Sequence, residues 1–443
     1  MRLRYSVILL SFSSVISYSL NAQKKVWSVD DCIQYALDKN IQVQKAVVNN
    51  NISKENMESA RLAWTPSLSG SAKQNLSWKN QTDNTTGSTV FAGSNGTTMS
   101  VSSALPVYDG ERLRNELKKS ETDYEADKLN TDIIRENISL DVLNAYLQVL
   151  YAGEQVKNSE NQIASTAEEL NLAEERYKLG AIANSDYLQV KSQLASEKLT
   201  LATDQSQLAI NRVTLMQLME LPVNDDFQIV HPNLDTLVDL KEKPDPAEIY
   251  KIALSVKPEV KNAELNRQSS EINVRIARAG YSPDISLNSG VSTLYSSDQA
   301  GSSAMDQLKN NLSPSVMLSA TIPIYQKKQI RTDVEIAKMN TVNSELDEQN
   351  IKNQLRKEIE QACLDVSSSQ SEYEAGLEQY LAARESFDVA SEKFTQGIMN
   401  SVDFLVQKTN FITAESTLLQ SKYKLIFSYK VLDFYLGKPL SFK

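Results

Sequence analysis

Residues 142–177 read VLNAYLQVLYAGEQVKNSENQIASTAEELNLAEERY and dominate the architecture of the chain. A large residue recurs at every seventh position, namely Val142, Val149, Val156, Ile163, Leu170 and Tyr177. A small residue recurs three positions later, at Ala145, Ala152, Ser159, Thr166 and Ala173. Adjacent large and small rows let helices interlock closely, so the pattern predicts a coiled coil. The Pro-free stretch 110–179 would form a helix about 100 Å long. On this stretch alone, a long cytosolic coiled coil explains the pattern equally well.

The same pattern returns in the second half of the chain, at the offset of 217 that separates Tyr177 from Phe394. The large row is Ile359, Val366, Tyr373, Tyr380, Phe387 and Phe394, and the small row is Ala362, Ser369, Gly376, Ala383 and Ala390. The offset also pairs Pro66 with Pro283, Gly180 with Gly397, Asp186 with Asp403, and Pro222 with Pro439. One constant offset from end to end predicts an internal duplication.

The first residues have the features of a secretory signal peptide, which we place at 1–22. Arg2 and Arg4 precede an apolar, Ser-rich segment, and Ala22 offers a small residue before the cleavage point. No later stretch approaches 18 consecutive apolar residues, so we expect an exported protein without a membrane-spanning helix. The net charge of −10 argues against nucleic acid as a partner.

The cysteine and histidine residues of the sequence do not form a recognisable catalytic site. Cys32 and Cys363 occupy positions that do not correspond between the repeats. A disulfide between them is possible in an oxidising compartment, but two free buried thiols are the preferred interpretation. The only histidine, His231, lies in a connector rich in Asp and Pro and is expected to be solvated. Without a phosphate loop, a metal cluster or a nucleophile–base pair in the sequence, we expect no enzyme, no cofactor and no metal site.

Each repeat also contains a predicted β-hairpin, at about 67–107 and about 284–325. Apolar residues alternate there with Ser, Thr, Lys and Asn, and such two-residue periodicity is typical of strands. Polar loops are expected at 80–97 and about 296–312. Each strand would have about 10 to 12 residues, a length that crosses a bilayer when the strand is tilted.

The remaining segments of both repeats are predicted to be helical. The first repeat spans 23–226, with a helical segment at 29–63 that breaks near Asn40, a long helix at 110–179 and a return helix at 185–219 capped by Asn184 or Ser185. After a connector at 227–245, the second repeat spans 246–443, with helix before its hairpin, a long helix at 327–396 and a return helix at 401–436. Each return helix has about half the length of a long helix. The helical segment before each hairpin also has about half that length. A return helix and such a segment stacked end to end would match one long helix and give a cylinder wall of equal height.

Four strands are too few to close a barrel, and an open sheet edge is not tolerated in lipid. Several chains must therefore share one barrel. Three chains would supply twelve strands, within the range of outer-membrane barrels. The predicted fold is thus mainly α with a small β part, internally duplicated, and consists of a long α-helical coiled-coil barrel plus a transmembrane β-barrel shared by a trimer.

The two helix–turn–helix tips carry a family resemblance. They read ERYKLG through DYL at residues 175–188 and EKFTQG through DFL at residues 392–405. With the duplication and the hairpins, they make the mature chain resemble the outer membrane efflux protein family, the TolC-like outer-membrane factors. The resemblance implies a homotrimeric exit duct without an active site, in the outer membrane of a Gram-negative bacterium and in contact with its lipid. Its helical tunnel would lie in the periplasm and dock on a periplasmic adaptor (membrane fusion protein) and an inner-membrane transporter, which supplies the energy.

The resemblance further implies that the tips contact the adaptor. The candidate residues are Arg176, Gly180, Asp186, Lys393, Gly397 and Asp403. The alternative is purely structural: the glycines end the long helices, and the aspartates serve the first turn of the return helices. Because Arg in the first tip is replaced by Lys in the second, bidentate pairing is lost and the two tips need not bind equally well.

The resemblance also implies a closed tunnel near the tips, with inward rings of polar and charged residues. Glu168, Glu385 and Asp388 are the candidates for this periplasmic gate. Threefold symmetry would turn each into a ring of like charge that binds cations and has raised pKa values. An outward, solvated face is the alternative for each residue. Asp388 corresponds to Asn171 in the first repeat, so the gate would be asymmetric.

Two other functions remain open on the sequence. A periplasmic adaptor would also contain a helical hairpin, but adaptors carry one hairpin between small β-domains, without duplicated strands of membrane length. A metal-ion exporter would be expected to have Met and His clusters, which are missing from the sequence. The cargo is not encoded in a recognisable motif, so drug export, peptide or protein secretion and metabolite efflux all fit.

Overall fold

The computed structural model describes residues 26–82, 87–223, 226–232, 244–298 and 302–442. The predicted signal peptide, 1–22, lies outside these ranges. The elements of the first repeat are β1 (Val26–Trp27), α1 (Val29–Lys39), α2 (Ile41–Leu62), β2 (Ser67–Thr82), β3 (Thr89–Tyr108), α3 (Arg112–Lys178) and α4 (Asn184–Leu218). Those that follow are β4 (Gln228–Ile229), α5 (Pro246–Val256), α6 (Pro258–Ala279), β5 (Asp284–Ser296), α7 (Ala304–Asn310), β6 (Ser313–Thr321), α8 (Gln329–Thr395) and α9 (Ser401–Tyr435).

The two long helices, α3 and α8, have 67 residues each and therefore extend about 100 Å. The C-terminal half of α3 pairs with α4, and that of α8 pairs with α9. The N-terminal half of α3 lies between α2 and α6, and α6 also packs on α8. Shorter helices thus accompany both halves of each long helix, as expected from the half lengths.

The small row, rather than the large one, forms the closest helix contacts. Its five members in α3 are all buried, whereas the large row changes from buried at Val142 to 42% exposed at Tyr177. In the second repeat, a side chain at Gly376 would approach the Cα atom of Leu418 to 3.7 Å. Small residues therefore set the distance between each long helix and its return helix.

The break between the half-length helices is built differently in the two repeats. The side chain of Asn40 caps α2 by accepting from the amide of Gln42 at 2.8 Å, and its Nδ2 donates to the carbonyl of Leu218 at 3.0 Å. The corresponding residue, Lys257, has a side chain only 1% exposed, and its Nζ lies 2.8 Å from Glu136. Lys257 Nζ also lies 3.1 Å from the centre of the Phe434 ring, near the end of α9, so both residues fasten the break to the neighbourhood of a return-helix C-terminus.

The four long strands form one antiparallel sheet in the order β2–β3–β5–β6. The first hairpin is longer than predicted, because β2 continues to Thr82 and β3 starts at Thr89, so the loop expected at 80–97 is wrong in extent. Backbone pairing does not need apolar side chains, and Trp78 packs over Gly93 in this polar part. The loop expected at 296–312 is also wrong in part, since it contains α7, capped by Ser303.

The two faces of the sheet differ in polarity. One face carries the large apolar side chains, among them Leu68, Leu76, Trp78, Met99, Val101, Leu287, Val291, Val316 and Leu318, and has no charged residue among the described positions. The other face is rich in serine, with Oγ atoms 2.9 Å apart in the pairs Ser69–Ser102, Ser71–Ser100 and Ser77–Ser94. Such a sheet can contact lipid on one side and water on the other.

Three expectations about single features can be checked directly. Within the described ranges, no helix contains a stretch long and apolar enough to cross a membrane. Cys32 and Cys363 are buried in separate apolar clusters and are not joined by a disulfide, in agreement with the preferred interpretation. His231 is exposed, as expected for a solvated residue.

Candidate functional site

The turns that end the two helical hairpins lie side by side and form one site. Arg176 of α3 donates through Nη1 to the carbonyl oxygen of Phe394 at 2.7 Å and through Nη2 to that of Thr395. On the other side, the hydroxyl of Ser401 donates to Asp186 Oδ1 at 2.8 Å. The duplicated tips are therefore joined to each other within one chain.

Both long helices end in the same glycine-dependent way. Gly180 and Gly397 adopt left-handed backbone conformations, with φ of +72° and +77°. Beyond them, the amide of Ala181 donates to the carbonyl of Arg176 at 2.8 Å, and that of Ile398 to Lys393 at 2.9 Å. This is the Schellman arrangement. A side chain at either glycine would meet no atom within 4 Å, so the positive φ alone selects glycine there. The structural interpretation of the glycines is confirmed, and their adaptor contact stays a prediction.

The return helices start differently in the two tips. Asn400 caps α9, because its Oδ1 accepts from the amide of Asp403 at 2.8 Å while its Nδ2 donates to the Asp403 carboxylate at 2.8 Å. In the first tip the cap position is Ala183, which has no side-chain hydrogen bond. The predicted capping by Asn184 or Ser185 is therefore wrong, since α4 already begins at Asn184. Asp186 and Asp403 both lie in a first turn, where a negative charge is favourable.

The second tip has an aromatic core that the first one lacks. Phe404 is fully buried, and its ring stacks on Phe394 with centroids 4.5 Å apart. Phe387 packs against the same cluster. The first tip has only Tyr177 stacked on Tyr187, with centroids 5.6 Å apart. Since Tyr177 is 42% exposed, whereas Phe394 and Phe404 are 6% and 0% exposed, this pair buries less apolar surface.

The Arg-to-Lys difference between the tips has a structural counterpart. Arg176 is half-buried, and its planar guanidinium donates hydrogen bonds to two carbonyl oxygens of the second tip. The guanidinium carbon also lies 5.7 Å from the centre of the Phe394 ring. Lys393 is exposed and forms no side-chain hydrogen bond or ion pair with the described residues. A lysine cannot reproduce the two parallel bonds of the arginine fork.

The three candidate gate residues are not brought together within one chain. Glu168 is exposed on α3, one residue before the half-buried Glu169. Glu385 and Asp388 are exposed on adjacent turns of α8. None of the three forms an ion pair with another described residue. Their role as a periplasmic gate stays a prediction.

About 18 Å from the tips lies a buried polar cluster that the sequence interpretation missed. Lys408 of α9 is 2% exposed, and its Nζ donates to both carboxylate oxygens of Glu169, at 2.9 and 2.8 Å, and to Thr166 Oγ1 at 2.6 Å. Thr166 Oγ1 also lies 2.5 Å from Glu197 Oε2 of α4. The cluster joins three helices and both repeats through one ammonium and two carboxylates.

Burial controls the electrostatics of this cluster. Desolvation raises the pKa of Glu169, and the neighbouring Lys408 lowers it by less.

The signal for the cluster was present in the sequence. Lys408 lies one turn after Phe404 on the same face of its helix, and Thr166 belongs to the small row of the long helix. A charged residue on an apolar face needs a buried partner.

The site is suited to holding helices together and to contacting a partner. Within the described ranges, no three or more His, Cys, Asp or Glu side chains converge in a way that could hold a metal ion. At the turns, the apolar side chains of Leu179 and Ile398 are 83% and 71% exposed. Exposed apolar side chains at the end of a long hairpin are typical of a contact surface.

Comparisons with known proteins agree with this architecture. TolC of Escherichia coli (strain K12) is 22% identical over 298 residues, which are 66% of this chain and 59% of TolC. The chain thus spans less than two thirds of that relative. The outer membrane efflux protein BepC of Brucella suis is 20% identical over 385 residues, covering 86% of this chain and 79% of BepC. A crystal structure of CusC shares the fold, with a TM-score of 0.80 and 18% identity over 93% of this chain and 92% of CusC.

The strongest indication of the family is the double match of one family model. The model of the outer membrane efflux protein family matches residues 32–220 and again residues 249–438. One match falls in each repeat, which confirms the internal duplication. Together the two matches cover most of the chain. The chain therefore belongs to the outer membrane efflux protein family, whose members are conduits of the outer membrane rather than enzymes.

Proposed function

We propose that three copies of this chain form the passive exit duct of a tripartite efflux or type I secretion system. An inner-membrane transporter and a periplasmic adaptor would deliver the substrate, and the duct would conduct it to the exterior. The single observation that carries the proposal is the unfinished sheet. Among the described residues, strands β2 and β6 each pair with one neighbouring strand, so both edges of the sheet need a partner.

The exposed apolar face of the sheet supports the same conclusion. Leu68 on β2 is 77% exposed, and Val316 and Leu318 on β6 are 76% and 67% exposed. These side chains lie on the edge strands, and in lipid they would need no further cover. Twelve strands from three copies would close the edges and turn the serine-rich face toward an aqueous lumen. A periplasmic adaptor would have no use for a lipid-compatible sheet of this size.

The tips are proposed to dock on the adaptor through the turns after α3 and α8. The contact would include Arg176, Gly180, Asp186, Lys393, Gly397 and Asp403. Its support is the exposure of Leu179 and Ile398 beside polar groups, a mixture that resembles the centre and rim of a protein interface. Glu168, Glu385 and Asp388 are proposed to form charged rings in the closed tunnel above this contact.

Subunit mass tests the shared barrel. In a mild detergent, light scattering should give about three times the 49.5 kDa of one chain, less any residues removed on export. A stable monomer under gentle conditions would contradict the proposal, since its two sheet edges would remain open.

Cross-linking to the adaptor tests the tip contact separately. Gly180→Pro removes the amide that donates to Tyr177 and cannot adopt the φ of +72°, so cross-linking from the first tip should fall strongly. Gly180→Asn is the matched control, because Asn tolerates this conformation and should retain most of the cross-linking. Wild-type cross-linking by the proline variant would show that the first tip is not a contact.

A further inference from the structure

We propose that a cavity between the start of α3 and the end of α6 binds the phosphate group of an anionic phospholipid from the periplasm-facing leaflet of the outer membrane. The proposal rests on the placement of the sheet in that membrane. The cavity has a volume of about 740 Å³. Its charged lining consists of Arg114, Lys118, Arg275, Arg278, Glu111 and Glu121.

The cavity lies where the sheet ends and the helices begin. Gly110 lies two residues after the end of β3, Ser282 lies two residues before the start of β5, and both line the cavity. The two segments approach so closely that a Cβ atom on Gly110 would lie 2.4 Å from that of Ser282. If the sheet crosses the bilayer, this junction is at the level of the lipid headgroups.

The lining carries an excess of positive charge. Four basic side chains face two carboxylates, in a chain whose overall net charge is −10. Arg114 pairs with Glu111 at 3.6 Å. Lys118, Arg275 and Arg278 have no ion pair with any residue that the structure describes, and neither has Glu121. The net excess of two positive charges in a concave site favours an anionic occupant.

The corresponding place in the second repeat has the same net charge in a different arrangement, because Glu111 and Glu121 correspond to Lys328 and Lys338. The offset of 217 replaces Lys118 by Glu335, and Arg275 corresponds to Glu58. There Glu335 pairs with Lys338 at 2.8 Å, and Glu58 lies 3.9 Å from Arg61. Both carboxylates of the second place are therefore paired, while Lys328 and Arg331 have no ion pair among the described residues, so net charge alone does not distinguish the two places.

Both basic rows face the same side of the helix layer. On α3, Asp123 and Asp127 reach Ser269 of α6 and Ser53 of α2, whereas Arg114 and Lys118 point to the opposite side at about 100° per residue. On α6, Arg275 likewise lies opposite the side that contacts α3 and α8. In a closed ring of helices, each helix contacts its two neighbours on the side that lies nearer the axis of the ring. This geometry indicates that the cations lie on the outer surface, where a lipid can reach them.

The chemistry of the lining fits a phosphodiester. An arginine guanidinium can donate two parallel hydrogen bonds to phosphate oxygens, and lysine adds a compact positive charge. Basic residues at the membrane surface attract anionic lipids, and each contributes to affinity. The two glutamates limit the positive excess, which suits a singly charged headgroup better than a multivalent anion.

Lipid retention by the purified full chain tests the proposal. Trimers are equilibrated with mixed phosphatidylglycerol and phosphatidylcholine, and the retained lipids are measured by native mass spectrometry. We expect about a tenfold preference for phosphatidylglycerol, which Arg275→Gln/Arg278→Gln should abolish. The control Lys198→Gln/Arg212→Gln, which removes two exposed cations of α4 remote from the sheet, should change the preference less than about twofold. Equal retention of the two lipids, or an equal loss in both double variants, would overturn the site.

Two further measurements distinguish lipid binding from binding of soluble anions and from failure of the double variant to assemble. If millimolar inorganic phosphate displaces the phosphatidylglycerol, the cavity binds soluble anions and the lipid assignment is wrong. If the double variant does not assemble, Lys118→Gln replaces it, since this exposed side chain has no partner in the described chain, and about a threefold loss is expected. A wild-type trimer without lipid preference contradicts only this proposal, whereas a monomer contradicts the duct itself.

Discussion

The two helical hairpins, α3–α4 and α8–α9, have equal lengths and identical glycine caps, yet they are held in different ways. The second tip supports itself through the stacked rings of Phe394 and Phe404 and a capped return helix. The first tip lacks both and depends on polar contacts to the second, of which Arg176 makes two. Duplication therefore preserved the backbone plan, and divergence of side chains made one tip the support of the other.

The largest expected effect comes from the buried cation between the hairpins. Lys408→Met would leave Glu169 and Glu197 buried without their cation, which should cost about 3–5 kcal/mol. Amide hydrogen exchange in α9 near residue 408 measures this loss. Lys191→Met, at the corresponding exposed position of α4, should change exchange by less than about 0.5 kcal/mol. Equal effects of the two variants would contradict the asymmetry.

The aromatic core should show the same asymmetry on a slightly smaller scale. Phe404→Ala removes a fully buried ring and should cost about 3–4 kcal/mol of local stability. Tyr187→Ala, the corresponding change in the first tip, should cost only about 1 kcal/mol because its stacking partner Tyr177 is 42% exposed. Protease sensitivity of the two turns reports both losses. A first tip as sensitive as the second would show that the tyrosine pair supports it after all.

Arg176 should matter more than its counterpart. Arg176→Lys keeps the charge but loses the two parallel bonds, so we expect a loss of about 1–2 kcal/mol. Faster hydrogen exchange at residues 393–399 would reveal it. The reciprocal variant Lys393→Arg should leave exchange unchanged, because Lys393 has no bond to replace. An unaltered second tip in Arg176→Lys would argue that the two carbonyl bonds are dispensable.

The smallest expected effect is a dependence on pH. Burial raises the pKa of the Glu169 carboxyl group, so the folded chain binds a proton at Glu169 more tightly than the unfolded chain does. The protonated carboxyl group stabilises the folded chain fully at a pH below its pKa in the unfolded chain, near 4.5. This stabilisation is lost as the pH rises through the pKa of Glu169 in the folded chain. The hairpin contact should therefore tighten modestly, by less than about 1 kcal/mol, on mild acidification. Glu169→Gln should flatten this slope in thermal unfolding measured at several pH values, and a slope of opposite sign would refute the assignment.

Backbone features were predictable from the sequence because they repeat. The long helices begin and end within two residues of the expected limits, since Gly180 and Gly397 mark their ends directly. The extent of the first hairpin was not predictable, because residues 89–97 pair through the backbone without an apolar pattern. The partners of Lys408 were not predictable either. Glu169 lies 239 residues away in the sequence, and the contact depends on how two hairpins pack.

Single-channel conductance of the purified trimer in a planar bilayer tests the central claim, a shared duct with an acidic periplasmic gate. We expect a cation-selective conductance that trivalent cations block. The variant Glu385→Ala/Asp388→Ala should raise the conductance and remove the block. If correctly inserted trimers of both the wild type and the double variant remained silent, the acidic gate would be contradicted first and the duct with it.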